Sequence, residues 1–110
     1  MRHPLEPKYK DLLDYAYEGV YEKLLCTVCT IMGVPAERVK SGSRKRELVE
    51  PRMIYLTLAQ ELYPHNTSMI ARVAERDHAT ALSSAKTVHD VRELRQKYEH
   101  VKNQISWNRP

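Results

Sequence analysis

The sequence predicts an all-α fold, a compact multi-helix domain that contains a helix-turn-helix. The chain has only 3 glycines in 110 residues and is rich in leucine, alanine, glutamate, lysine and arginine, a composition that favours helices over sheets. Its hydrophobic fraction of 42% and its length are sufficient for one core but not for two. We therefore expect a single domain over residues 11–105, preceded by a flexible arm at residues 1–10 and followed by a frayed tail at residues 106–110.

The first predicted helix follows the arm. Apolar residues recur at intervals of three and four across residues 12–31, which predicts one amphipathic helix or two shorter ones broken at Gly19. Gly33 is the expected C-cap, and residues 35–39 then favour a single helical turn that begins with proline. The amphipathic stretch is long enough to hold a protein partner or a second copy of the chain.

The middle of the chain predicts a long helix and a short one. The long helix spans residues 47–62, with Pro51 expected in its first turn, where a missing backbone N–H costs little. Its predicted buried residues are Leu48, Ile54, Tyr55, Leu58 and Leu62. Asn66 or Thr67 is expected to cap the short helix. Its predicted buried stripe is Met69, Ile70, Val73 and Ala74.

The last third of the chain begins with a tight turn at Glu75 and Arg76. Asp77 is a good N-cap for the helix that follows, since its carboxylate can accept from free backbone N–H groups. The predicted buried residues of this helix are Leu82, Ala85 and Val88. Asp90 is a candidate cap for a further segment, whose apolar positions are Val91, Leu94, Tyr98, Val101 and Ile105. The pattern fits one bent helix or two, so the domain is expected to have five to seven helices, with the helix-turn-helix near residues 67–88.

The positive charge of the chain is unevenly distributed. The formal net charge is +4, and residues 40–52 alone carry five basic and two acidic side chains. Residues 1–24, in contrast, carry four basic and five acidic side chains. A basic segment could simply be a solvated turn, but its position next to a helix-turn-helix pattern favours a role in binding a polyanion such as duplex DNA.

Several other classes of function are disfavoured. Cys26 and Cys29 lie inside the first helical pattern without a second cysteine pair, so buried structural cysteines are favoured over a zinc site, which needs four ligands. We see no clustered acids, no nucleophile with a base and no phosphate-cradling glycine loop, so we expect no enzyme, metal or cofactor. No signal peptide or run of roughly 20 apolar residues is present. A cytoplasmic, nucleoid-associated protein is the expectation.

Two segments together carry a resemblance to a known family. Residues 43–52 begin with a basic stretch, Ser-Arg-Lys-Arg, and end with a Pro-Arg pair, and the helix that contains this pair ends in Ala-x-Glu-Leu at residues 59–62. Residues 76–82 read Arg-Asp-His-Ala-Thr-Ala-Leu, close to a signature of Arg-Asp-His-Thr-Thr-Val followed by an apolar residue. In order and spacing, these segments make the chain from about residue 20 to residue 105 resemble the C-terminal DNA-binding domain of the bacterial replication initiator DnaA.

The resemblance implies a DnaA C-terminal or Trp-repressor-like fold that binds a short double-stranded DNA box. In that family a recognition helix enters the major groove and an arginine of the basic loop enters the minor groove. By position, Arg44 resembles the minor-groove arginine, with Lys45 and Arg46 as neighbouring phosphate contacts. Arg52 resembles an arginine that reaches the duplex from the helix after the loop.

The second segment supplies the predicted major-groove contacts. Asp77, His78 and Thr80 fall on signature positions that contact bases or phosphates. Ala79 stands where the family has a threonine, and an alanine can touch a thymine methyl group but cannot donate a hydrogen bond. Met53 stands where many members have a polar residue. These departures predict DNA binding with a changed target sequence.

Two questions stay open at the level of sequence. The Gly-x-x-x-x-Gly-Lys-Ser/Thr run of an ATPase module is missing, so no nucleotide is expected, and the chain is either a free-standing site-specific binder or one domain of a longer protein. The alternative to DNA binding is a helical protein-interaction or regulatory adaptor that retains the fold but not the DNA readout. Glu50, Met53 and Ala79 favour that alternative.

Overall fold

A computed structural model describes the backbone of residues 6–107 and the side chains of residues 17–105. Within that part of the chain the fold is all-α, as predicted, with six helices and no strand. The helices are α1 (Glu6–Met32), α2 (Ala36–Val39), α3 (Arg46–Leu62), α4 (Thr67–Val73), α5 (His78–Asp90) and α6 (Arg92–Trp107).

Helix α1 is longer than expected and is not broken. It begins at Glu6, so residues 6–10, predicted as part of a flexible arm, are helical, while residues 1–5 lie outside the described part of the chain. Pro7 falls in the first turn, where a backbone N–H would have no helical acceptor, so proline does not oppose this earlier start. The helix also passes through Gly19 without interruption.

Gly33 ends α1 as predicted. Its φ of 75° is in the left-handed region, which favours glycine. The Gly33 N–H donates to the Thr30 carbonyl at 3.2 Å and the Val34 N–H donates to the Cys29 carbonyl at 3.0 Å, the pair of bonds that defines a Schellman cap. The predicted single turn follows as α2, with Pro35 in the N-cap position.

Helix α3 is the centre of the domain and contacts every other helix. It is buried almost all round between Pro51 and Ala59. Pro51 lies at the sixth position of the helix rather than in its first turn, because α3 begins at Arg46. Its ring therefore removes one helical hydrogen bond, the one that residue 51 would donate to the Glu47 carbonyl.

The N-terminus of α4 is not capped by a side chain. Asn66 occupies the N-cap position, but its side chain makes no cap hydrogen bond and its amide donates instead to the Tyr21 hydroxyl at 2.7 Å. Asn66 therefore ties the loop before α4 to helix α1. The predicted apolar stripe of α4 is largely buried, with Ile70 and Ala74 fully inaccessible.

The last two helices are separate, and they meet at Val91, which is extended with φ −94° and ψ 114°. Asp90 ends α5 rather than capping α6. Two predicted core positions are wrong: Leu82 is 51% exposed and Val91 is 46% exposed. Val88 is buried as predicted and Ala85 is half-buried, while Ala81 and Ser84, each one residue before a predicted position, complete the buried face of α5, which packs on α3.

The core joins all six helices around α3. Its large inaccessible side chains are Tyr21, Leu25, Val28, Val39, Leu48, Ile54, Tyr55, Leu56, Leu58, Ile70, Val88 and Val101. The Tyr55 hydroxyl donates to the Ile70 carbonyl at 2.9 Å, so this buried polar group is satisfied. The arrangement fixes α4 and α5 on one side of α3, which positions the helix-turn-helix.

The cysteines only partly match the expectation of two buried residues. Cys29 is buried and burial raises the pKa of its thiol to about 11, whereas Cys26 is exposed. Within the described residues, no group of three or more metal-ligating side chains converges. None of the helices in that part of the chain combines the length and the apolar character that crossing a bilayer requires.

Candidate nucleic-acid interface

The helix-turn-helix is formed by α4, a four-residue turn and α5. The Arg76 N–H donates to the Ala71 carbonyl and the Glu75 N–H donates to the Arg72 carbonyl, both at 2.8 Å, which makes a second Schellman cap. Glu75 has a φ of 57°, the left-handed conformation that glycine usually supplies in such a cap. These bonds end α4, and the turn then leads directly to Asp77 at the start of α5.

Asp77 starts α5 as predicted. It is extended, with φ −96° and ψ 172°, and its Oδ1 accepts a hydrogen bond from the Thr80 backbone N–H at 2.8 Å. Hydrogen bonds from the Thr80 side chain and from the Thr80 backbone N–H lower the pKa of the Asp77 carboxyl. A carboxylate at this end also complements the positive pole of the helix, so α5 begins at a defined residue.

The first turns of α5 present a mixed surface to solvent. His78 and Ala79 are exposed, and Thr80 is partly exposed. The exposed face continues through Leu82, Ser83 and Lys86, which follow Ala79 at helical spacing. Apolar, hydroxyl and cationic groups in one stripe are the types that contact thymine methyl groups, base edges and phosphates.

His78 is held at the start of α5 by the preceding helix. Its Nδ1 shares a hydrogen bond of 3.2 Å with the Ser68 hydroxyl of α4. Its Nε2 makes no hydrogen bond to the described residues, so this nitrogen is free to meet an external group. The bond to α4 orients the ring without occupying both of its polar atoms.

The basic loop, residues 40–45, connects α2 to α3. Serine hydroxyls organise its backbone: the Ser43 N–H donates to Ser41 Oγ at 3.3 Å and the Lys45 N–H donates to Ser43 Oγ at 3.2 Å. Arg44 and Lys45 are exposed, and the side chain of neither residue forms a hydrogen bond or an ion pair with the described part of the chain. Two free cations therefore project from an ordered backbone.

Arg46, predicted as a phosphate contact, is instead paired within the domain. Its guanidinium donates to Glu50 at 3.0 Å and to Glu93 at 3.2 Å, and Glu50 also accepts from Lys97 at 2.7 Å. The hydrogen bond to Glu50 is the main reason that the pKa of Arg46 is raised. Arg46 remains exposed, but it would have to exchange two carboxylates for a phosphate before it could bind DNA.

Arg52 departs from the expected contact with the duplex. Its side chain is only 7% exposed, and its guanidinium faces the backbone of the basic loop and the end of α2. It donates to the carbonyls of Val39 at 2.8 Å, Ser41 at 3.1 Å and Ser43 at 3.2 Å. The reason is geometric. Arg52 lies on a part of α3 that is buried on nearly every side, so its long side chain extends to the carbonyls of the loop and not into solvent.

The structure brings the basic loop and the start of α5 together through Arg76. The Arg76 guanidinium donates to the Ser41 carbonyl at 2.5 Å and to the Lys40 carbonyl at 3.4 Å. Arg76 immediately precedes the Asp77 cap, so the loop that carries Arg44 is adjacent to the helix that carries His78. The predicted sites in two distant segments are therefore parts of one surface.

Sequence reasoning missed three residues at this surface. Arg76 is the first residue of the Arg-Asp-His-Ala-Thr-Ala-Leu segment, but its contact with the loop has no local signal, because Ser41 and Arg76 are 35 residues apart in the sequence. Gln60 donates to the Ala81 carbonyl at 2.8 Å and so links α3 to the backbone of α5. Lys86 could have been found from its spacing, since it lies seven residues after Ala79 on the same helical face.

Comparison with known proteins gives a consistent set of similarities. The profile of the family described as "Bacterial dnaA protein helix-turn-helix" matches residues 21–88, more than half of the chain. The chain is 37% identical over 68 residues to the chromosomal replication initiator protein DnaA of Bacteroides thetaiotaomicron, a match that covers 61% of this chain and 14% of that protein. It is 29% identical over 85 residues to the protein of the same name from Mycoplasma pneumoniae, covering 72% of this chain and 19% of that protein. The chain thus spans less than a fifth of the length of these relatives.

Proposed function

Because the chain belongs to the family of bacterial DnaA helix-turn-helix domains, we propose that it binds double-stranded DNA and recognises a short specific sequence. The observation that carries the proposal is that a capped helix, α5, lies next to the basic loop, and that the side chains of Arg44 and Lys45 on this loop have no partner among the described residues. Helix α5 enters the major groove with His78 and Ala79 at its leading end, and Arg44 enters the adjacent minor groove. Lys45 lies beside Arg44 on the same loop and contacts phosphates.

The first turn of α5 supports a target that differs from the standard box of the family. Ala79 is exposed, so its methyl group can contact a thymine methyl, but it cannot form the hydrogen bond that a threonine would. Leu82 adds an exposed apolar side chain one turn further on. We therefore propose recognition dominated by apolar contacts at these positions, in replication initiation or in its regulation.

Asp77 has a more restricted role in the proposal. Its Oδ1 is engaged by the Thr80 N–H, and its negative charge repels phosphates. A direct contact of Asp77 is therefore confined to a hydrogen-bond donor on a base, such as a cytosine amino group. Thr80 is only partly exposed and lies beside this cap, so its hydroxyl reaches the edge of the interface rather than its centre.

Selection from a randomised duplex pool at low salt, with the full chain, tests the proposal. We expect one enriched motif whose affinity falls steeply with salt, because counterions are released when cations neutralise phosphates. Arg44→Ala should lower the affinity for that motif by about tenfold and reduce the salt slope by about one. Lys23→Ala removes one positive charge from the exposed surface of α1 and should change neither quantity appreciably.

His78→Ala separates base reading from general attraction. We expect it to relax the sequence preference at one or two positions of the motif while affinity for random duplex stays within about twofold. An equal loss of affinity on every sequence would exclude base reading by His78.

A second candidate function, a helical protein-interaction adaptor, is favoured by two observations. Arg46 is held by Glu50 and Glu93, and Arg52 is buried, so the free positive charge of the segment is smaller than its composition suggests. Tyr17 and Val20 on α1 are 41% and 42% exposed, which leaves apolar surface for a partner or a second copy. If the selection enriches no motif even at low salt, the adaptor is the better function.

A further inference from the structure

We propose that Arg52 and Arg76 form a two-arginine clamp on the basic loop, which fixes Arg44 at a set distance from the recognition helix. The clamp is defined by these two side chains and by the loop carbonyls that accept their hydrogen bonds. This inference rests on the proposed function for its effect on DNA, but the clamp itself is a property of the free protein. It assigns to both arginines a positioning role rather than a contact with bases.

The two guanidinium groups approach the loop from different elements. Arg52 belongs to α3 and donates to the carbonyls of Val39, Ser41 and Ser43. Arg76 belongs to the turn before α5 and donates to the loop carbonyls of Lys40 and Ser41. Its guanidinium also donates to the carbonyls of Ala74 and Glu75 in its own turn, which holds it in place beside the loop. The Ser41 carbonyl is shared: it accepts from Arg52 at 3.1 Å and from Arg76 at 2.5 Å, which its two lone pairs allow.

The loop has few other contacts that could hold it. Ser41, Gly42, Arg44 and Lys45 are all exposed, and the glycine has no neighbour within 4 Å of the position where a Cβ would stand. No apolar side chain of the loop is in the core. The start of the loop is anchored separately, by an ion pair of 2.5 Å between Lys40 and Glu22 of α1. Ser41 is also bound to α2, because its N–H and its hydroxyl donate to the Arg38 carbonyl at 3.2 Å and 2.6 Å. The segment from Gly42 to Lys45 therefore depends mainly on the arginines and on the hydroxyls of Ser41 and Ser43.

Arginine is suited to this position because its planar fork can donate several hydrogen bonds in a fixed geometry. Burial and the nearby charge of Arg76 lower the pKa of Arg52, so placing two like charges beside one carbonyl carries a cost. That cost is offset because each group is satisfied by several carbonyl oxygens. A lysine would offer one ammonium group and could not replace the same set of bonds.

The clamp ties Arg44 to the recognition helix through very few bonds. Arg44 directly follows Ser43, a carbonyl acceptor of Arg52, and Arg76 directly precedes Asp77, the cap of α5. The loop and the helix therefore share one rigid support before any DNA arrives. Because the loop is ordered in advance, binding does not have to supply the entropy of fixing it.

A double-mutant cycle in the full chain tests the effect on DNA, with the motif selected by the wild-type chain as the probe. Arg76→Gln should lower the affinity for that motif by about tenfold when Arg44 is present and by less than about twofold in an Arg44→Ala background. The loss should disappear with Arg44 because a clamp acts only through the residue that it positions. Equal losses in the two backgrounds would overturn the proposal, since Arg76 would then be making a contact of its own or supporting the fold in general.

Arg72→Gln is the matched control. Arg72 is an exposed arginine of α4 whose guanidinium donates no hydrogen bond to the described residues, so its substitution removes the same charge from the same motif without releasing the loop. It should lower the affinity equally little in both backgrounds. A loss that depends on Arg44 as strongly as that of Arg76→Gln would mean that charge, not clamping, is responsible.

Amide hydrogen exchange of the free protein tests the clamp without DNA. Arg76→Gln should raise the exchange rates of the Ser43 and Lys45 amides by about tenfold or more, while amides in the middle of α3 and α5 remain as protected as in the wild type. Arg52→Lys, which keeps the charge, should act in the same direction. Unchanged exchange in the loop would overturn the clamp whatever the chain binds, whereas faster exchange in a chain that selects no DNA motif would overturn the proposed function alone.

Discussion

Arg44, Arg46 and Arg52 lie within nine residues of one another and have three different environments. Arg44 is exposed and unpaired within the described residues, Arg46 is exposed but bound to two carboxylates, and Arg52 is buried against loop carbonyls. The formal charge is the same in each case, but the charge available to an external polyanion differs. At this scale, the identity of an arginine says less about binding than its acceptors do.

Asp77 gives a prediction about pH at the scale of a single residue. Its carboxyl pKa in the folded state is lowered by the Thr80 hydrogen bonds, below the ordinary value of about 3.9 in unfolded chains. Its contribution to stability is therefore fully present above about pH 4 and is lost as the pH falls through the folded-state pKa. Asp77→Asn, which keeps a good capping side chain without the titration, should lose less stability than the wild type in that acidic range.

Thermal unfolding from pH 7 down to pH 2 measures this difference. Asp77→Ala, which has no capping group, should be less stable at neutral pH than both the wild type and Asp77→Asn. Parallel stability curves for the wild type and Asp77→Asn would show that the Asp77 carboxylate does not contribute.

The turn between α4 and α5 carries a prediction at the scale of an element. Glu75 adopts a left-handed conformation at the C-cap of α4, where a side chain is strained and a glycine is not. Glu75→Gly should raise the free energy of unfolding by about 0.5 to 1 kcal/mol, the relief of strain being reduced by the greater freedom of glycine in the unfolded chain.

Denaturant titration checks this value, with Glu75→Ala as the control. Alanine removes the carboxylate but keeps a Cβ, so it should give none of the gain. If both variants were equally stabilised, the electrostatics of Glu75 rather than its backbone conformation would be responsible.

The register of α5 shows how an element can present a different face from the one its sequence suggests. Leu82 was expected inside, yet Ala81, Ser84 and Val88 face α3 and leave Leu82 51% exposed. The hydrogen bond from Gln60 to the Ala81 carbonyl stabilises this register from α3. The small residues on the buried face allow α5 to approach α3 closely, which positions the exposed stripe for a groove.

Helix α6 matters at the scale of the whole molecule, although the family profile ends at residue 88. Leu94, Tyr98 and Val101 are at most 5% exposed and complete the core on α1 and α3. Glu50 of α3 pairs with Lys97, and Glu61 of α3 pairs with Lys102, so polar contacts reinforce the packing. The segment after the matched region therefore packs into the same hydrophobic core as α1 and α3.

Leu94→Ala tests this dependence. We expect a loss of about 2 to 4 kcal/mol in the free energy of unfolding, because a buried leucine is replaced by a cavity. Gln96→Ala on the exposed side of α6 should stay within about 0.5 kcal/mol of the wild type. An equally small effect of both substitutions, measured by denaturant titration, would mean that α6 is not part of the cooperative core.

The sequence by itself determined the helical class, most helix positions, the caps at Gly33 and Asp77, and the family. These features depend on local physics: the period of apolar residues, the backbone freedom of glycine and the reach of a carboxylate over three residues. The early start of α1, the separation of α5 from α6 and the exposure of Leu82 and Val91 needed the structure, because packing decides among patterns that are locally equivalent.

Only the tertiary structure decided the roles of the arginines. Arg46 finds Glu93 on α6, Arg52 finds the carbonyls of a loop, and Arg76 finds Ser41 across 35 residues of sequence. A long cationic side chain can reach acceptors on any neighbouring element, so its partner is set by which elements are adjacent and not by its own segment. The sequence indicates where the positive charge of this domain lies, and the fold selects which of those charges remain free to meet DNA.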